Sequence, residues 1–208
     1  MNLEGRHEFK IYKDMLSEWN QKMNLTAIKD SVEVDIKHFH DCLSILNTKK
    51  QYILPNSHVV DIGTGAGFPG IPVKIVRPDI KLTLIDSLKK RISFLEALIE
   101  RLQLREISCF HIRAEDAGKD KRFREKFDIV LSRAVAPLNP LIEISLPLIK
   151  VGGYMLAMKS KKALEEIKSA RCNIKRFGGE LQCIHNYNLK FNNEILERNI
   201  VVIKKCIP

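Results

Sequence analysis

The sequence predicts an α/β fold: seven short strands in a mostly parallel sheet, helices on both faces, an antiparallel C-terminal hairpin and an N-terminal helical cap. Three observations carry this. Beyond residue 57, short apolar runs alternate with helical periodicities. The first of those runs leads directly into the glycine-rich loop Gly63-Thr64-Gly65-Ala66-Gly67. The last two runs have no helix between them, so they can pair only as antiparallel neighbours.

Taken in order, Phe9, Tyr12, Leu16 and Trp19 recur at three- and four-residue spacing, which predicts an amphipathic helix over about 6–23. Val32, Ile36, Phe39, Leu43 and Leu46 predict a second over 31–47. Pro55-Asn56-Ser57 breaks that pattern. Strands are then expected at 58–62, 81–86, 107–112, 127–131 and 154–158. Between them come a helix over 70–76 with Pro72 in its first turn, and a long one carrying Ile92, Leu95, Leu98, Ile99 and Leu102 with Ser87 as its N-cap. A further helix carries Leu141, Ile144 and Leu148 and ends near Gly152-Gly153, which opens the fifth strand. A basic helix over 161–175 and two strands, 181–188 and 199–205, close the pattern. We expect residues 1–50 to form the cap and 51–208 one compact ligand-binding unit.

A chain of 208 residues that is 45% hydrophobic and 29% charged can bury a real core and is not a disordered polymer. No apolar run approaches the roughly 18 residues that span a bilayer, and the first residues lack the basic-then-apolar order of a secretory leader. We therefore expect a cytoplasmic monomer without membrane association. Cys42, Cys109, Cys172, Cys183 and Cys206 are scattered, with no C-x-x-C pair, so no metal site is expected and the thiols are read as small buried residues. The net charge of +10 is uneven: residues 1–50 balance, whereas 151–208 hold 11 basic against 5 acidic side chains, among them Lys159, Lys161, Lys162, Lys168, Arg171, Lys175 and Arg176. Such a field favours a polyanionic partner.

A glycine-rich turn after a strand and before a helix lets the backbone approach a ligand at the carboxyl edge of the sheet. Asp86, at the end of the second strand and 19 residues beyond Gly67, is placed to accept hydrogen bonds from ribose hydroxyls. Two ligands compete. Gly65-Ala66-Gly67-Phe68-Pro69-Gly70 satisfies the dinucleotide pattern G-x-G-x-x-G, which keeps an NAD(P)-binding oxidoreductase open. Asp61, immediately before the loop, instead suits a ligand that is cationic at a sulfonium and an amine, namely S-adenosylmethionine. A third alternative is an RNA-binding protein with a vestigial cofactor site.

The run Val60-Asp61-Ile62-Gly63-Thr64-Gly65-Ala66-Gly67-Phe68-Pro69-Gly70-Ile71-Pro72 resembles the signature of the bacterial small-subunit rRNA guanine-N7 methyltransferase G family. Trp19-Asn20 with Asn24-Leu25-Thr26, His38-x-x-Asp41, Leu84-Ile85-Asp86-Ser87-Leu88, Arg113-Ala114-Glu115, Ser132-Arg133-Ala134 and the closing Glu197–Lys205 run extend the resemblance over nearly the whole chain. It implies a Rossmann-like class I S-adenosylmethionine-dependent methyltransferase acting on N7 of a guanine in 16S rRNA or the small ribosomal subunit. It also implies cofactor contacts at Gly63, Phe68, Ala114, Glu115 and Arg133, beside the loop glycines Gly65 and Gly67 and the ribose partner Asp86. Arg133 would meet the cofactor carboxylate or an RNA phosphate; otherwise it is a surface ion pair. His38 and Asp41 are read first as a structural hydrogen-bonding pair on their helix. Cys42 and Asn199 depart from the residues common at those positions and receive no role. The Asn/Asp-Pro-Pro-Tyr motif of amine methylation and the Pro-Cys nucleophile of pyrimidine methylation are both missing, so no catalytic residue is named.

Overall fold

The computed structural model describes residues 6–28 and 30–208. Residues 1–5 and 29 of the expected cap lie outside the described residues. Helix α1 (His7–Met23) and the helical segment α2 (31–47) precede β1 (His58–Ile62), α3 (Gly70–Val76), β2 (Lys81–Asp86), α4 (Lys89–Arg101) and β3 (Ile107–His111). The one-turn α5 (Ala114–Ala117), β4 (Phe127–Arg133), α6 (Leu138–Ser145), β5 (Ile149–Ser160), α7 (Ala163–Arg176), β6 (Gly179–Phe191) and β7 (Glu194–Lys205) complete the order. The strands form one seven-stranded sheet, β3-β2-β1-β4-β5-β7-β6. The five strands from β3 to β5 run parallel, β7 runs antiparallel to β5, and β6 pairs antiparallel with β7 at the edge.

Strand alternation divides the core in two. Val59, Leu82, Leu84, Ile129, Leu131, Leu156 and Val202 face one side, where α1, α2, α3 and α4 pack. Val60, Ile62, Ile85, Val130, Met155, Ala157, Val201 and Ile203 face the other, against α6 and α7. Successive residues of one strand thus feed opposite cores, and the parallel strands read as continuous apolar runs because both faces are covered.

Four local expectations are corrected. The 31–47 segment is not uniform: it is α-helical over Ser31–Val34, π-helical over Asp35–His40 and a 3-10 turn over Ser44–Asn47. Val32, assigned to its apolar face, is exposed. Ser87 does not cap α4; Leu88 occupies the N-cap position, and its amide donates to Asp86 Oδ1 at 2.9 Å. The fifth strand begins at Ile149, so Gly152 and Gly153 lie within it, and a Cβ on Gly153 would stand 2.5 Å from the Asp128 carbonyl oxygen. Cys42 is buried as expected, whereas Cys172 and Cys206 are exposed. Among the described residues no helix is long and apolar enough to cross a membrane.

Tyr12 ties α1 to the glycine loop. Tyr12, fully buried in α1, donates its hydroxyl to the Ala66 carbonyl at 2.5 Å and stacks on Phe68 with ring centroids 5.4 Å apart. Burial holds the Tyr12 phenol well above its ordinary pKa, so it remains a donor at any physiological pH. Tyr12→Phe leaves a buried carbonyl without its partner and is predicted to lower the unfolding free energy by about 1–3 kcal/mol in urea titrations. An unchanged midpoint would show that the cap docks without this bond.

Candidate functional site

At the carboxyl ends of β1, β2 and β3, the chain forms a cleft bordered by Gly63, Asp86, Ser87, Ala114, Glu115 and Val135. Four of the predicted site residues therefore meet in one place. Gly65 stands at the rim of the same loop: its φ of +61° is left-handed, and a Cβ there would have nothing within 4 Å. Its amide donates to Asp86 Oδ2 at 2.9 Å. Asp86 thereby clamps the glycine loop, receives the start of α4 through the Leu88 amide and takes Arg91 Nη1 at 3.3 Å, all while 2% exposed.

Gly67, Phe68 and Arg133 lie on the cap side instead. Gly67 has φ +97°, and an added Cβ would fall 2.7 Å from Tyr12 Oη and 2.8 Å from Ile71 Cδ1. The space above it is already filled by protein. Phe68 is buried between Tyr12 and His38, with its centroid 4.4 Å from the His38 ring and 5.4 Å from the Arg133 guanidinium carbon. Its peptide bond to Pro69 is cis.

Arg133 is no surface ion pair. Its side chain is 16% exposed and is gripped by the π-helical turn of α2: Nη2 meets His38 Nδ1 at 2.6 Å, and Nη1 reaches the His38 carbonyl at 3.3 Å, Cys42 Sγ at 3.1 Å and Asp41 Oδ2 at 3.3 Å. His38 and Asp41 serve this cation rather than each other. Burial and the neighbouring guanidinium push the His38 pKa down to about 3. The imidazole is therefore neutral, its Nδ1 accepts from Arg133, and its Nε2–H must donate to Thr26 Oγ1, 2.8 Å away. The Asn20 side chain locks the Thr26 backbone in turn through two hydrogen bonds, both 2.8 Å, which accounts for Asn20 and Thr26 within their two motifs.

Sequence reasoning missed Tyr187, on β6, whose hydroxyl donates to Asp41 Oδ1 at 2.8 Å, and Arg198, whose Nε stands 4.0 Å from the same oxygen. No local pattern marks Tyr187; only the pairing of β6 with β7 brings it to the cap. Burial raises the Asp41 carboxyl pKa, opposed by Arg133 and Tyr187. Cys42, given no role, accepts from Arg133, while its burial drives its own pKa up to about 12. Asn199 bonds Asn186 and the Ser160 carbonyl within the sheet.

Asp61 is wholly buried beneath the loop. Its Oδ2 accepts from Thr64 Oγ1 at 2.6 Å and from the Gly70 amide at 2.8 Å, while Oδ1 has no hydrogen-bond partner. Burial raises its pKa to about 7. The same short span explains the rest of the motif: a Cβ on Gly70 would stand 2.8 Å from Asp61 Oδ2, and Pro72 sits in the first turn of α3.

The charge reading needs one correction. Lys159 is not available to a polyanion, because its side chain is 8% exposed and paired with Glu166 at 2.8 Å. Lys161, Lys162, Lys168, Arg171, Lys175 and Arg176 are exposed on or just before α7. Among the described residues, no three His, Cys, Asp or Glu side chains converge as metal ligands.

The glycines give a direct test of packing. Gly67→Ala meets both an unfavourable φ and a collision, so it is predicted to lose about 2–4 kcal/mol of stability. Gly65→Ala meets only the backbone term of roughly 1–2 kcal/mol. Equal shifts in thermal unfolding would contradict the packing role of Gly67.

Comparison with known proteins places this geometry in context. A family model described as rRNA small subunit methyltransferase G matches residues 6–200. The ribosomal RNA small subunit methyltransferase G of Acetivibrio thermocellus is 50% identical over 198 residues, covering 95% of this chain and 79% of that protein. Its counterpart in Alkaliphilus oremlandii is 50% identical over 194 residues, covering 93% and 80%. Among solved structures, M. jannaschii TYW2 in complex with AdoMet superposes with a TM-score of 0.60 at 14% identity, over 81% of this chain and 76% of that one. At that identity the likeness speaks for the fold.

Proposed function

The chain belongs to the rRNA small subunit methyltransferase G family, and from that premise we propose that it transfers a methyl group from S-adenosylmethionine to N7 of a guanine in 16S rRNA. It is an enzyme of that family, which removes both the nicotinamide oxidoreductase and the vestigial-site alternatives. The observation that carries the site assignment is the meeting of Gly63, Asp86, Ala114 and Glu115 in one cleft at the carboxyl edge of the sheet. We take the protein to work in the cytoplasm as a monomer, with residues 1–50 as a cap on the cofactor-binding unit 51–208.

The residues present fit the cofactor. When bound, S-adenosylmethionine supplies a methyl carbon made electrophilic by its sulfonium. Gly65 leaves open space beside the loop, Asp86 presents a carboxylate for ribose hydroxyls, and Ala114 with Glu115 borders the adenine end. Asp61 Oδ1, buried and unpartnered, is free to accept from an ammonium once the carboxyl is deprotonated. Phe68 and Arg133 act from the cap side, Arg133 as the cation for a carboxylate or phosphate. Guanine N7 carries an exposed lone pair at neutral pH, so the chain needs no general base. Its task is positioning, which can supply roughly 7–11 kcal/mol in favourable cases.

The experiment that tests this uses purified protein, methyl-labelled S-adenosylmethionine and small-subunit rRNA from cells lacking the enzyme. Nucleoside mass spectrometry is expected to find N7-methylguanine at one position; RNA left unlabelled would sink the reading. Asp86→Ala should weaken cofactor binding by about 10–100-fold, the loss expected for hydrogen bonds to a charged group.

Asp61 adds a pH signature. With its pKa near 7, most of this carboxyl is protonated at pH 5.5 and must lose its proton to face an ammonium. Cofactor affinity is therefore predicted to rise about tenfold between pH 5.5 and 7, with proton release on binding by calorimetry. Asp61→Asn should bind more weakly and lose this dependence. A pH-independent affinity in the parent protein would separate Asp61 from the cofactor amine.

A further inference from the structure

The cap face carries a second concavity apart from the cofactor cleft. The 3-10 turn Ser44–Asn47 at the end of α2, with the residues just after it, and strand β6 enclose a groove of about 630 Å³. That volume is within the roughly 300–1,000 Å³ of small-ligand sites. Its lining is mixed: Asn47 and Lys49 are exposed, His185 and Tyr187 are half-buried, and Ile184 and Ile200 add apolar surface. Among the described residues no carboxylate lines it, and Lys49 is its one formal charge. At one end Tyr187 donates to Asp41, which pairs with Arg133, so the groove ends two contacts from the carboxyl end of β4.

The basic helix α7 cannot serve this face. Its Ala163, Ile167, Ala170 and Ile174 pack into the core on the opposite side of the sheet from the cap. RNA held by α7 alone would have no anchor beside α2 and β6.

We propose that the groove between the end of α2 and β6 binds single-stranded nucleotides of the substrate RNA that flank the methylated base. This rests on the rRNA methyltransferase reading above and extends it to a second anchoring surface. Lys49 faces a phosphate, the side-chain amide of Asn47 offers donors and an acceptor to base edges, and the His185 ring offers a stacking face. Through Tyr187 and Asp41 the groove adjoins Arg133 at the carboxyl end of β4, so nucleotides held here lie beside that strand end.

The test uses the protein with Lys49→Glu and Asn47→Asp, both at exposed positions outside the cofactor cleft. Methyl transfer is measured on deproteinised small-subunit rRNA and on small subunits from cells lacking the enzyme. Lys49→Glu is expected to raise KM for RNA about tenfold and to flatten its salt dependence by roughly one ion, with kcat and cofactor affinity retained. Ultraviolet crosslinking of the wild type to small subunits is expected to leave nucleotide adducts on peptides spanning 47–52 or 183–190. Unchanged KM in both variants, or adducts confined to α7, would overturn the proposal. A defect on subunits but not on deproteinised rRNA would assign the groove to a ribosomal protein and overturn it equally. Failure of the wild type itself to methylate either substrate would strike the rRNA reading instead, and that outcome is visible before any variant is made.

Discussion

Arg133 is the constraint around which the cap is organised. A guanidinium removed from water at the end of a central strand is tolerable only if its donors are met and its charge is opposed. One strand cannot supply those partners, so they come from elsewhere: the His38 ring and carbonyl, Cys42 and Asp41 from α2, with Asp41 itself held by Tyr187 from the edge hairpin. Removing a partner from such a pair typically costs about 3–5 kcal/mol, because the remaining charge stays buried. Three elements far apart in sequence are thus tied through one side chain, and the neutral state of His38 follows from its burial, reinforced by the same contact.

That dependence explains which parts of the fold were legible. The parallel strands were, because burial on both faces produces apolar runs that no surface segment shows. The edge hairpin was, because no helix-length segment separates its strands. The π-helical turn of α2 was not: Val32, Ile36, Phe39, Leu43 and Leu46 have a spacing that an ordinary helix satisfies equally. Ser87 carried the chemistry of a cap, yet the stronger acceptor one residue earlier, the Asp86 carboxylate, took the amide at the start of α4.

At the site, the residue types were readable but their physical reasons were not. Gly65 and Gly67 belong to one motif and both have positive φ, yet one faces open space and the other is pressed against Tyr12 and Ile71. Composition counted Lys159 with the basic field, but β5 carries it beneath α7, where Glu166 neutralises it. Charge patterning sees how many cations a segment holds; it does not see which are spent on the fold. His38 and Asp41 were read as bonding each other, whereas each bonds Arg133, 95 residues along the chain from His38.

The electrostatics of the seam also bear on what kind of reaction fits there. Asp41 stands between two guanidiniums, 3.3 Å from Arg133 and 4.0 Å from Arg198, so the directly contacting groups leave one positive charge unopposed. The nearby Asp61 adds little compensation at neutral pH, because burial keeps its carboxyl about half protonated there. A proton-abstracting base is poorly served by such surroundings: His38 is held neutral with both ring nitrogens engaged, and the Cys42 thiol is driven away from ionisation. The proposed role of Arg133 is compatible with these surroundings: an anion would be held in place there rather than activated. A carboxylate or phosphate fixed by Arg133 restricts the position of whatever carries it, and for attack by a lone pair that needs no deprotonation, restriction of position is the form of catalysis that remains.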